Sequence, residues 1–259
     1  MEKIIAIANQ KGGVGKTTTT INLGYSLSLN GKKILCIDID PQSNMTSGFG
    51  INNETLKYTI YNVLIEGVEM EKAIEKPKDM ENIYIVPSSI QLAGAEIELV
   101  PMPSREFRLK KALDKIKGDY DYILIDCPPS LGLLTLNALT ASNSVLVPIQ
   151  CEYYALEGLT QLVNTINLVK KNINHNLDLE GVVLTMFNAR TNLSIQVVDE
   201  VKKYFKGKVY RTIIPRNIRL GEAPSFGKPI TIYDPRSKGA EAYDDLAKEV
   251  IEKGGEIIE

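Results

Sequence analysis

The chain alternates short, uninterrupted apolar runs with longer segments whose apolar residues recur at helical spacing. Uninterrupted apolar runs are typical of parallel strands that are buried on both faces of a sheet. Such runs predict strands at residues 3–8, 34–38, 83–86, 122–126, 145–149, 182–187 and 209–214. Helical spacing predicts helices at 17–29, 104–117, 155–171 and 240–253, with shorter helices within 60–81. Residues 44–58 are rich in Asn, Ser, Thr and Gly and predict a loop. The alternation predicts an α/β fold in which helices flank a mostly parallel, twisted sheet.

The first strand runs directly into a glycine-rich stretch at residues 9–18, NQKGGVGKTT. Glycines allow a tight turn that points successive backbone N–H groups into one concavity, and the following helix adds its N-terminus. The standard pattern G-x-x-x-x-G-K-[ST] is not matched, because Gln10 stands where that pattern has its first glycine. A second lysine, Lys11, precedes the glycines instead, which is the deviant form of the phosphate-binding loop. The stretch therefore predicts the three-layer P-loop NTPase fold, the alternative being a glycine turn with two incidental lysines.

The geometry of such a loop gives each position a role. Backbone N–H groups of residues 13–18 are expected to surround the phosphates of ATP, and Lys16 to reach their β and γ oxygens. The Thr17 hydroxyl is placed to ligate Mg²⁺. Lys11 lies on the wrong side of the loop to duplicate Lys16 within one site. The expected nucleotide-binding residues in this loop are Lys11, Gly12, Gly13, Val14, Gly15, Lys16, Thr17 and Thr18.

Two further strands end in carboxylates. Asp38 and Asp40 follow the second strand, and Asp126 ends the fourth. Ligands of open parallel sheets bind at the carboxyl ends of the strands, so these acids are expected beside the phosphates. We expect Asp40 to orient the attacking water, Asp38 to lie behind the direct Mg²⁺ ligands, and Asp126 to hold Mg²⁺ directly or through water. The alternative interpretation is that they are caps at the ends of strands.

Two later strand ends carry candidate contacts to the base. Asn188 follows the strand at 182–187, while Pro215 and Asn217 follow the strand at 209–214. We expect Asn188 to contact the edge of the adenine and the other two residues to close its pocket. The alternative is ordinary turn chemistry, because Asn and Pro both favour turns.

Length and composition indicate one large domain spanning residues 1–259, with 44% hydrophobic and 24% charged residues. No apolar run approaches the roughly 18 residues of a transmembrane helix. The first predicted strand begins at residue 3, which leaves no room for a signal peptide. Cys36, Cys127 and Cys151 lie in or beside apolar runs and are expected to be reduced core residues. We therefore expect a cytoplasmic protein.

The formal net charge is −2, so any affinity for nucleic acid must come from a local patch. The segment 190–219 is such a patch, with eight basic residues against two acidic ones. Charge runs are usually solvated faces, but this one could contact DNA phosphates without reading sequence. The basic residues are Arg190, Lys202, Lys203, Lys206, Lys208, Arg211, Arg216 and Arg219.

Together these features resemble the ParA family of chromosome and plasmid partition ATPases, and most closely its Soj-type members. The resemblance covers nearly the whole chain, in blocks at residues 9–18, 38–42, 91–96, 126–130, 150–158, 189–192 and 222–225. A small departure is Ser43, where many relatives carry glycine.

The resemblance implies a slow ATPase whose ATP-bound dimer binds double-stranded DNA without sequence preference. It also implies association with the nucleoid and stimulation of hydrolysis by a ParB-type partner. In this family the lysine matching Lys11 crosses to the nucleotide of a second subunit, so the resemblance implies an ATP-sandwich homodimer. It places DNA-contacting arginines at Arg190 and Arg219, and we expect Lys202 and Lys203 to add to them.

Three other interpretations are less well supported by the residues. A MinD-like membrane ATPase would need a basic amphipathic C-terminal helix, whereas the tail at 238–259 is acidic. A reductase like the nitrogenase iron protein would need two cysteines per subunit around a shared iron–sulfur cluster. Only Cys127 stands beside a candidate site segment, the one that follows Asp126. An interaction module with a degenerate loop would not bind or hydrolyse a nucleotide, so it would not need both lysines and the acidic strand ends.

Overall fold

The computed structural model describes residues 2–152 and 157–255. Within them, seven strands form one entirely parallel sheet in the order β3-β2-β4-β1-β5-β6-β7. The strands are β1 (Lys3–Ile7), β2 (Ile34–Asp38), β3 (Ile83–Val86), β4 (Tyr122–Asp126), β5 (Ser144–Gln150), β6 (Asp178–Phe187) and β7 (Val209–Pro215). All seven strands predicted from apolar runs are confirmed, with small shifts at their ends.

The helices lie between the strands along the chain. They are α1 (Lys16–Leu29), α2 (Asn44–Gly48), α3 (Leu92–Glu98), α4 (Arg108–Leu113), α5 (Leu133–Ala141), α6 (Glu157–Asn172), α7 (Asn192–Tyr204), α8 (Ile218–Glu222), α9 (Ile230–Tyr233) and α10 (Lys238–Gly255). Single turns of 3-10 helix cover Asn53–Thr55, Met70–Ala73, Arg105–Phe107 and Ala223–Phe226, and a π-helical turn covers Asn62–Glu66. In the described part of the chain, no helix is both long and apolar enough to cross a membrane.

Side chains alternate between the two faces of the sheet, and both faces are buried. Ile5 and Ile7 of β1 pack into a cluster with Leu23 of α1 and Leu246 of α10, whereas Ala6 packs into a second cluster on the opposite face. Helices therefore cover the sheet on both sides, which makes three layers. This two-sided burial explains why the strands have no polar alternation in sequence.

The strand order brings three strand ends together at the carboxyl edge of the sheet. β1 and β2 both pair with β4, so that Ile7 and Asp38 are each opposite Asp126 in the register. The glycine-rich loop leaves β1 at this point, and the segment containing Asp40 leaves β2 beside it. The loop and the acidic strand ends are thus neighbours because of the topology alone.

Several predicted element bounds were wrong. The predicted loop at 44–58 contains α2 and a 3-10 turn, and the predicted helix at 104–117 is only a 3-10 turn followed by α4. The predicted tail helix at 240–253 runs from Lys238 to Gly255, and its earlier start is explained by the Ser237 side chain, which accepts the Ala240 N–H at 3.2 Å. The predicted start of α6 at Ala155, and residues 153–156 of the ParA-like block at 150–158, lie outside the described residues, as does the acidic end at 256–259.

The edge strand β7 is covered by a carboxylate from α10. Glu249 is buried and accepts the backbone N–H groups of Arg211 and Thr212 at 2.8 and 3.1 Å, together with the Thr212 hydroxyl at 3.0 Å. An open edge strand offers unpaired backbone groups to other chains. Glu249 uses two of these groups and fixes the C-terminal helix to the sheet.

We predict that Glu249→Ala lowers the free energy of unfolding by about 1–3 kcal/mol, because it leaves three partly buried donors of β7 without this acceptor. Glu252→Ala is the matched control: its side chain is 66% exposed and pairs only with Arg211. The control should change the free energy by no more than about 0.5 kcal/mol in urea denaturation. Equal effects of the two substitutions would contradict this role of Glu249.

Candidate functional site

Two glycines let the glycine-rich loop turn through left-handed backbone conformations. Gly13 and Gly15 have φ of 73° and 90°, a region that favours glycine. Between them Val14 is buried, and its carbonyl accepts the Thr185 hydroxyl at 2.8 Å. This bond fastens the loop to β6.

Asn9 fastens the start of the same loop. Its amide group donates to the Pro148 carbonyl of β5 at 2.7 Å, and its side-chain oxygen accepts the Lys11 N–H at 3.0 Å. Gly12 is exposed and has open space where a side chain would stand. The loop is therefore fixed at its base and accessible at its tip.

Helix α1 begins at Lys16 with an uncovered N-terminus. Gly15 occupies the cap position and offers no side chain, and the first intrahelical bond runs from the Thr19 N–H to the Gly15 carbonyl. The N–H groups of residues 15–18 consequently have no partner within the helix. An uncovered helix N-terminus that follows a glycine loop is a site for phosphate or another anion.

Lys16 adds a buried cation to this site. Its side chain is only slightly exposed, and its Nζ donates to the Lys11 carbonyl across the loop at 3.2 Å. Burial lowers the pKa of Lys16, while the negative charge of Asp126 acts in the opposite direction. The ammonium group is thus poorly compensated where it stands and is well placed to attract an anion.

Asp38 and Asp126 are neighbouring carboxyl groups in the sheet, and both are fully buried. Burial, followed by the charge of Asp38, raises the pKa of Asp126. Burial raises the pKa of Asp38 to about 7, against the hydrogen bonds that it accepts. Two buried carboxyl groups side by side favour either a proton or a cation between the strands.

The two carboxyl groups differ in how many of their oxygens already accept hydrogen bonds. Asp126 accepts the Thr20 hydroxyl at 3.2 Å through Oδ1, while its buried Oδ2 has no partner among the described residues. Asp38 uses both oxygens, because Oδ1 accepts the Asp40 N–H and Oδ2 accepts the N–H and hydroxyl of Thr46. Asp126 is therefore available to a cation, whereas Asp38 holds the chain behind it.

These groups fit a Mg²⁺ ion, which prefers oxygen ligands and retains several waters when it binds beside phosphates. Two oxygen atoms of this chain would serve as ligands of the ion. They are the unpartnered Oδ2 of Asp126 and the hydroxyl of Thr17 in the first turn of α1. The described residues contain no group of three or more His, Cys, Asp or Glu side chains arranged for a metal. Asp40 is slightly exposed beside them, with Oδ1 accepting the Gln42 N–H at 2.9 Å.

A cavity of about 180 Å³ opens next to the glycine-rich loop. Pro215 and Asn217, for which a base pocket was predicted, line it together with Gly15 and Thr18. Asn188 is not among the lining residues. Its side-chain oxygen accepts the Arg190 N–H, and its carbonyl accepts the Thr191 N–H. These bonds are the turn chemistry that was the alternative interpretation, and contact of Asn188 with the base stays a prediction.

Two further residues contribute to the site from distant parts of the chain. Thr185 lines the cavity and bonds the loop, and Tyr243 of α10 lines it while bonding the Thr19 hydroxyl at 3.1 Å. Neither residue belongs to a recognisable motif. The one feature of the sequence that could have indicated Thr185 as a site residue was its position near the carboxyl end of a predicted strand.

The candidate DNA-contacting residues are exposed but do not form one compact cluster. Arg190 and Arg219 follow β6 and β7 by a few residues, so both lie near the carboxyl edge of the sheet. Lys202 and Lys203 lie in the last turn of α7, about 15 Å along the helix axis from its start. Because α7 returns toward the start of β7, these lysines lie toward the opposite edge of the sheet.

Ion pairs reduce the charge that the basic segment 190–219 presents. Arg219 donates to Glu222 at 2.9 Å and lies 3.6 Å from Asp234, and Arg216 contacts Glu152 at 3.0 Å. Lys208 and Arg211 are also paired with acids outside the segment. Within the described residues, Arg190, Lys202 and Lys203 have no such pair. The local excess of positive charge is therefore smaller than the sequence count.

A parallel sheet with a glycine loop, a buried lysine and two acidic strand ends defines the P-loop NTPase class. The profile of a family described as an AAA domain matches residues 2–179. The chain is 63% identical over 254 residues to the sporulation initiation inhibitor protein Soj of Bacillus subtilis, covering 98% of this chain and 100% of that protein. It is 53% identical to the chromosome partitioning protein ParA of Myxococcus xanthus, covering 97% and 88%. The chain belongs to the ParA/Soj family of chromosome-partitioning ATPases.

Solved structures of other proteins share this fold. Cobyrinic acid a,c-diamide synthase of Mycobacterium smegmatis, with bound ADP and magnesium, has a TM-score of 0.86 and 37% identity, covering 98% of this chain and 96% of that one. The septum site-determining protein MinD of Pyrococcus horikoshii, complexed with Mg-ADP, has a TM-score of 0.82 and 29% identity, covering 98% of each chain. The expected three-layer P-loop fold is confirmed.

The unpartnered oxygen of Asp126 generates a prediction about stability and pH. Because folding raises its pKa, this carboxyl group destabilises the native state above its ordinary pKa of about 4, and increasingly so up to the raised value. Without Mg²⁺ and nucleotide, Asp126→Asn should raise the free energy of unfolding at pH 8 by about 1–3 kcal/mol.

The advantage of Asp126→Asn should disappear as the pH falls toward 4, about the ordinary pKa of the group. Chemical denaturation at several pH values measures it. Asp245→Asn serves as the control, because Asp245 is exposed on α10. A loss of stability at pH 8, or a gain that does not change with pH, would contradict the prediction.

Proposed function

We propose that this chain hydrolyses ATP with Mg²⁺, and that its ATP-bound dimer binds DNA without sequence preference to drive chromosome or plasmid segregation. The observation that supports this most directly is the uncovered N-terminus of α1, which lies beside the buried Lys16 and the unpartnered oxygen of Asp126. We further propose that residues 1–259 act as one ParA-type domain.

The proposed division of labour follows from the contacts. Backbone N–H groups of the loop and of the first turn of α1 bind the phosphates, and Lys16 supplies positive charge to the β and γ oxygens. Thr17 and Asp126 hold Mg²⁺, which when bound neutralises charge that develops on the phosphates. Asp40 orients the attacking water. No described residue donates a hydrogen bond to the Asp40 Oδ2, so this oxygen is available to accept one from the water. The cavity beside Pro215 and Asn217 receives the adenine.

We predict that Lys16→Ala abolishes nucleotide binding, because Lys16 is the buried cation at the start of α1 and the side chain of Lys11 is proposed to serve a second subunit. Calorimetric titration with ADP and Mg²⁺ should show an affinity at least about 100-fold weaker, as expected when a buried charge partner is removed. The control is Lys76→Ala, at an exposed lysine before β3. Unchanged ADP affinity in the Lys16 variant would overturn the proposed site.

We predict that Asp40→Ala binds ATP normally but hydrolyses it about 10²–10⁴-fold more slowly, the usual contribution of a group that handles the nucleophile. The protein should accumulate as a dimer, since the other groups still hold nucleotide and metal. Single-turnover hydrolysis combined with sedimentation tests this. Hydrolysis at the wild-type rate would mean that another group positions the water.

The proposed dimer depends on Lys11. This residue is partly buried at the start of the loop, where its backbone is held by Asn9 and Lys16. Among the described residues no acid lies within ion-pair distance of its side chain. We propose that this side chain reaches the phosphates of a second subunit when ATP is bound.

The proposed DNA surface depends mainly on Arg190 and Arg219, which lie near the same edge of the sheet as the nucleotide site. A dimer doubles their number, and tethering makes contacts by the second set intramolecular. Arg219 must leave Glu222 and Asp234 to contact a phosphate. Lys202 and Lys203 would contact DNA phosphates only if the duplex runs along α7.

We predict that Lys11→Ala binds nucleotide but neither dimerises nor binds DNA, whereas Arg219→Ala dimerises and binds DNA weakly. Since log K falls by about 0.9 per log salt for each phosphate neutralised, Arg219→Ala should also have the shallower salt slope. Sedimentation with ATP and a non-specific duplex at several salt concentrations measures both effects.

Lys78→Ala is the control for these variants, because Lys78 is exposed before β3, at the other edge of the sheet from β7. Tight DNA binding by a monomeric Lys11→Ala protein would refute the dimer switch. Lys202→Ala and Lys203→Ala should lower the salt slope only if the duplex follows α7.

We propose that a ParB-type protein stimulates hydrolysis, and that the protein is cytoplasmic and associated with the nucleoid. Support comes from the two relatives whose names refer to chromosome partitioning or to Soj, at 53% and 63% identity.

A further inference from the structure

The segment that carries Asp40 is held by a threonine outside the nucleotide motifs. We propose that Thr46 is a positioning residue for ATP hydrolysis, which acts by fixing the segment 38–46 around Asp40. This inference rests on the proposed function, and in particular on the role of Asp40.

The Thr46 hydroxyl joins three parts of the fold. Thr46 lies in α2 and is fully buried. Its Oγ1 donates to Asp38 Oδ2 at 2.7 Å and accepts the Ser88 N–H at 3.0 Å, while its own N–H donates to the same Asp38 oxygen at 2.9 Å. The hydroxyl therefore uses both its donor and an acceptor site, and it connects the end of β2, the start of α2 and the chain after β3.

The segment 38–46 is tied to the Asp38 carboxyl group at two points, at Asp40 itself and at Thr46. The Asp40 N–H donates to Asp38 Oδ1 at 3.1 Å, and the Asp40 carbonyl accepts the Ser43 N–H at 2.9 Å. Ser43 has a φ of 49°, a region that glycine adopts more easily, so this turn needs support from its neighbours. Thr46 supplies that support from the far side of the turn.

The bonds of Thr46 differ from those of an ordinary buried threonine. Thr140 of α5 is equally buried, but its hydroxyl donates only to the Leu136 carbonyl one turn earlier in the same helix. Removing the Thr140 hydroxyl disturbs one helix, whereas removing that of Thr46 takes away one of its two bonds to Asp38 and leaves the Ser88 N–H without an acceptor. The two threonines therefore separate positioning from general core stability.

The test compares Thr46→Val, Thr46→Ser and Thr140→Val with the wild type and Asp40→Ala, using the full chain. Thr46→Val should lower kcat for ATP at least about tenfold, because small misplacements of a reacting group have large effects on rate. Its ADP affinity should remain within about twofold, since the phosphate-binding groups are unchanged. Thr46→Ser keeps the hydroxyl and should recover most of the activity.

A second readout does not depend on activity. In hydrogen exchange of the nucleotide-free protein, amides of residues 40–48 and of Ser88 should exchange about tenfold faster in Thr46→Val, with the rest of the sheet unchanged. Thr140→Val should leave this segment and kcat unaffected. If Thr46→Val does not fold, Thr46→Ala replaces it, because its smaller side chain leaves room for water.

Three results would overturn the inference. Thr46→Val could hydrolyse ATP at the wild-type rate while Asp40→Ala is inactive, in which case the proposed function stands without a role for Thr46. Thr46→Val and Thr140→Val could lose the same activity, which would show a general core effect. Full activity of Asp40→Ala would instead remove the proposed role of Asp40, on which the inference depends.

Discussion

The structure depends on charged groups that are buried together at the carboxyl edge of a parallel sheet. Asp38 and Asp126 are neighbours between β2 and β4, and Lys16 stands above them at the start of α1. The protein satisfies only part of this cluster, because Asp126 keeps an oxygen without a partner among the described residues and Lys16 donates to a carbonyl of its own loop. Such buried groups destabilise a fold unless a ligand completes them.

The surrounding elements serve to hold this cluster in shape. Asn9 and Thr185 fasten the glycine-rich loop to β5 and β6, and Thr46 fastens the segment of Asp40 to the ends of β2 and β3. Tyr243 extends this support to the C-terminal helix through its bond with Thr19. Residues that are far apart in sequence therefore fix the glycine-rich loop, the cavity beside it and the acidic segment in one arrangement.

The sequence alone predicted the strands, the three-layer fold and the loop, because continuous apolar runs and glycine spacing are local signals. It did not predict Thr46 or Tyr243, since a single polar residue in a helix gives no sign of what it meets across the fold. The charge count of the segment 190–219 overstated its free charge, because acids such as Glu222 and Asp234 pair with Arg219 from outside it. The predicted helix at 104–117 was too long, since Ser104 has a φ of 51° and α4 covers only Arg108–Leu113.

The most direct test of this account is the unfolding free energy measured with ADP and Mg²⁺, with ADP and EDTA, and with neither. Completion of the buried cluster predicts that ADP with Mg²⁺, at about 100 times its dissociation constant, raises the free energy by about 2.7 kcal/mol. The same ADP concentration in EDTA should raise it by clearly less, and Asp126→Asn should remove the difference between the two conditions. Equal stabilisation with and without Mg²⁺, or none in either condition, would contradict the account.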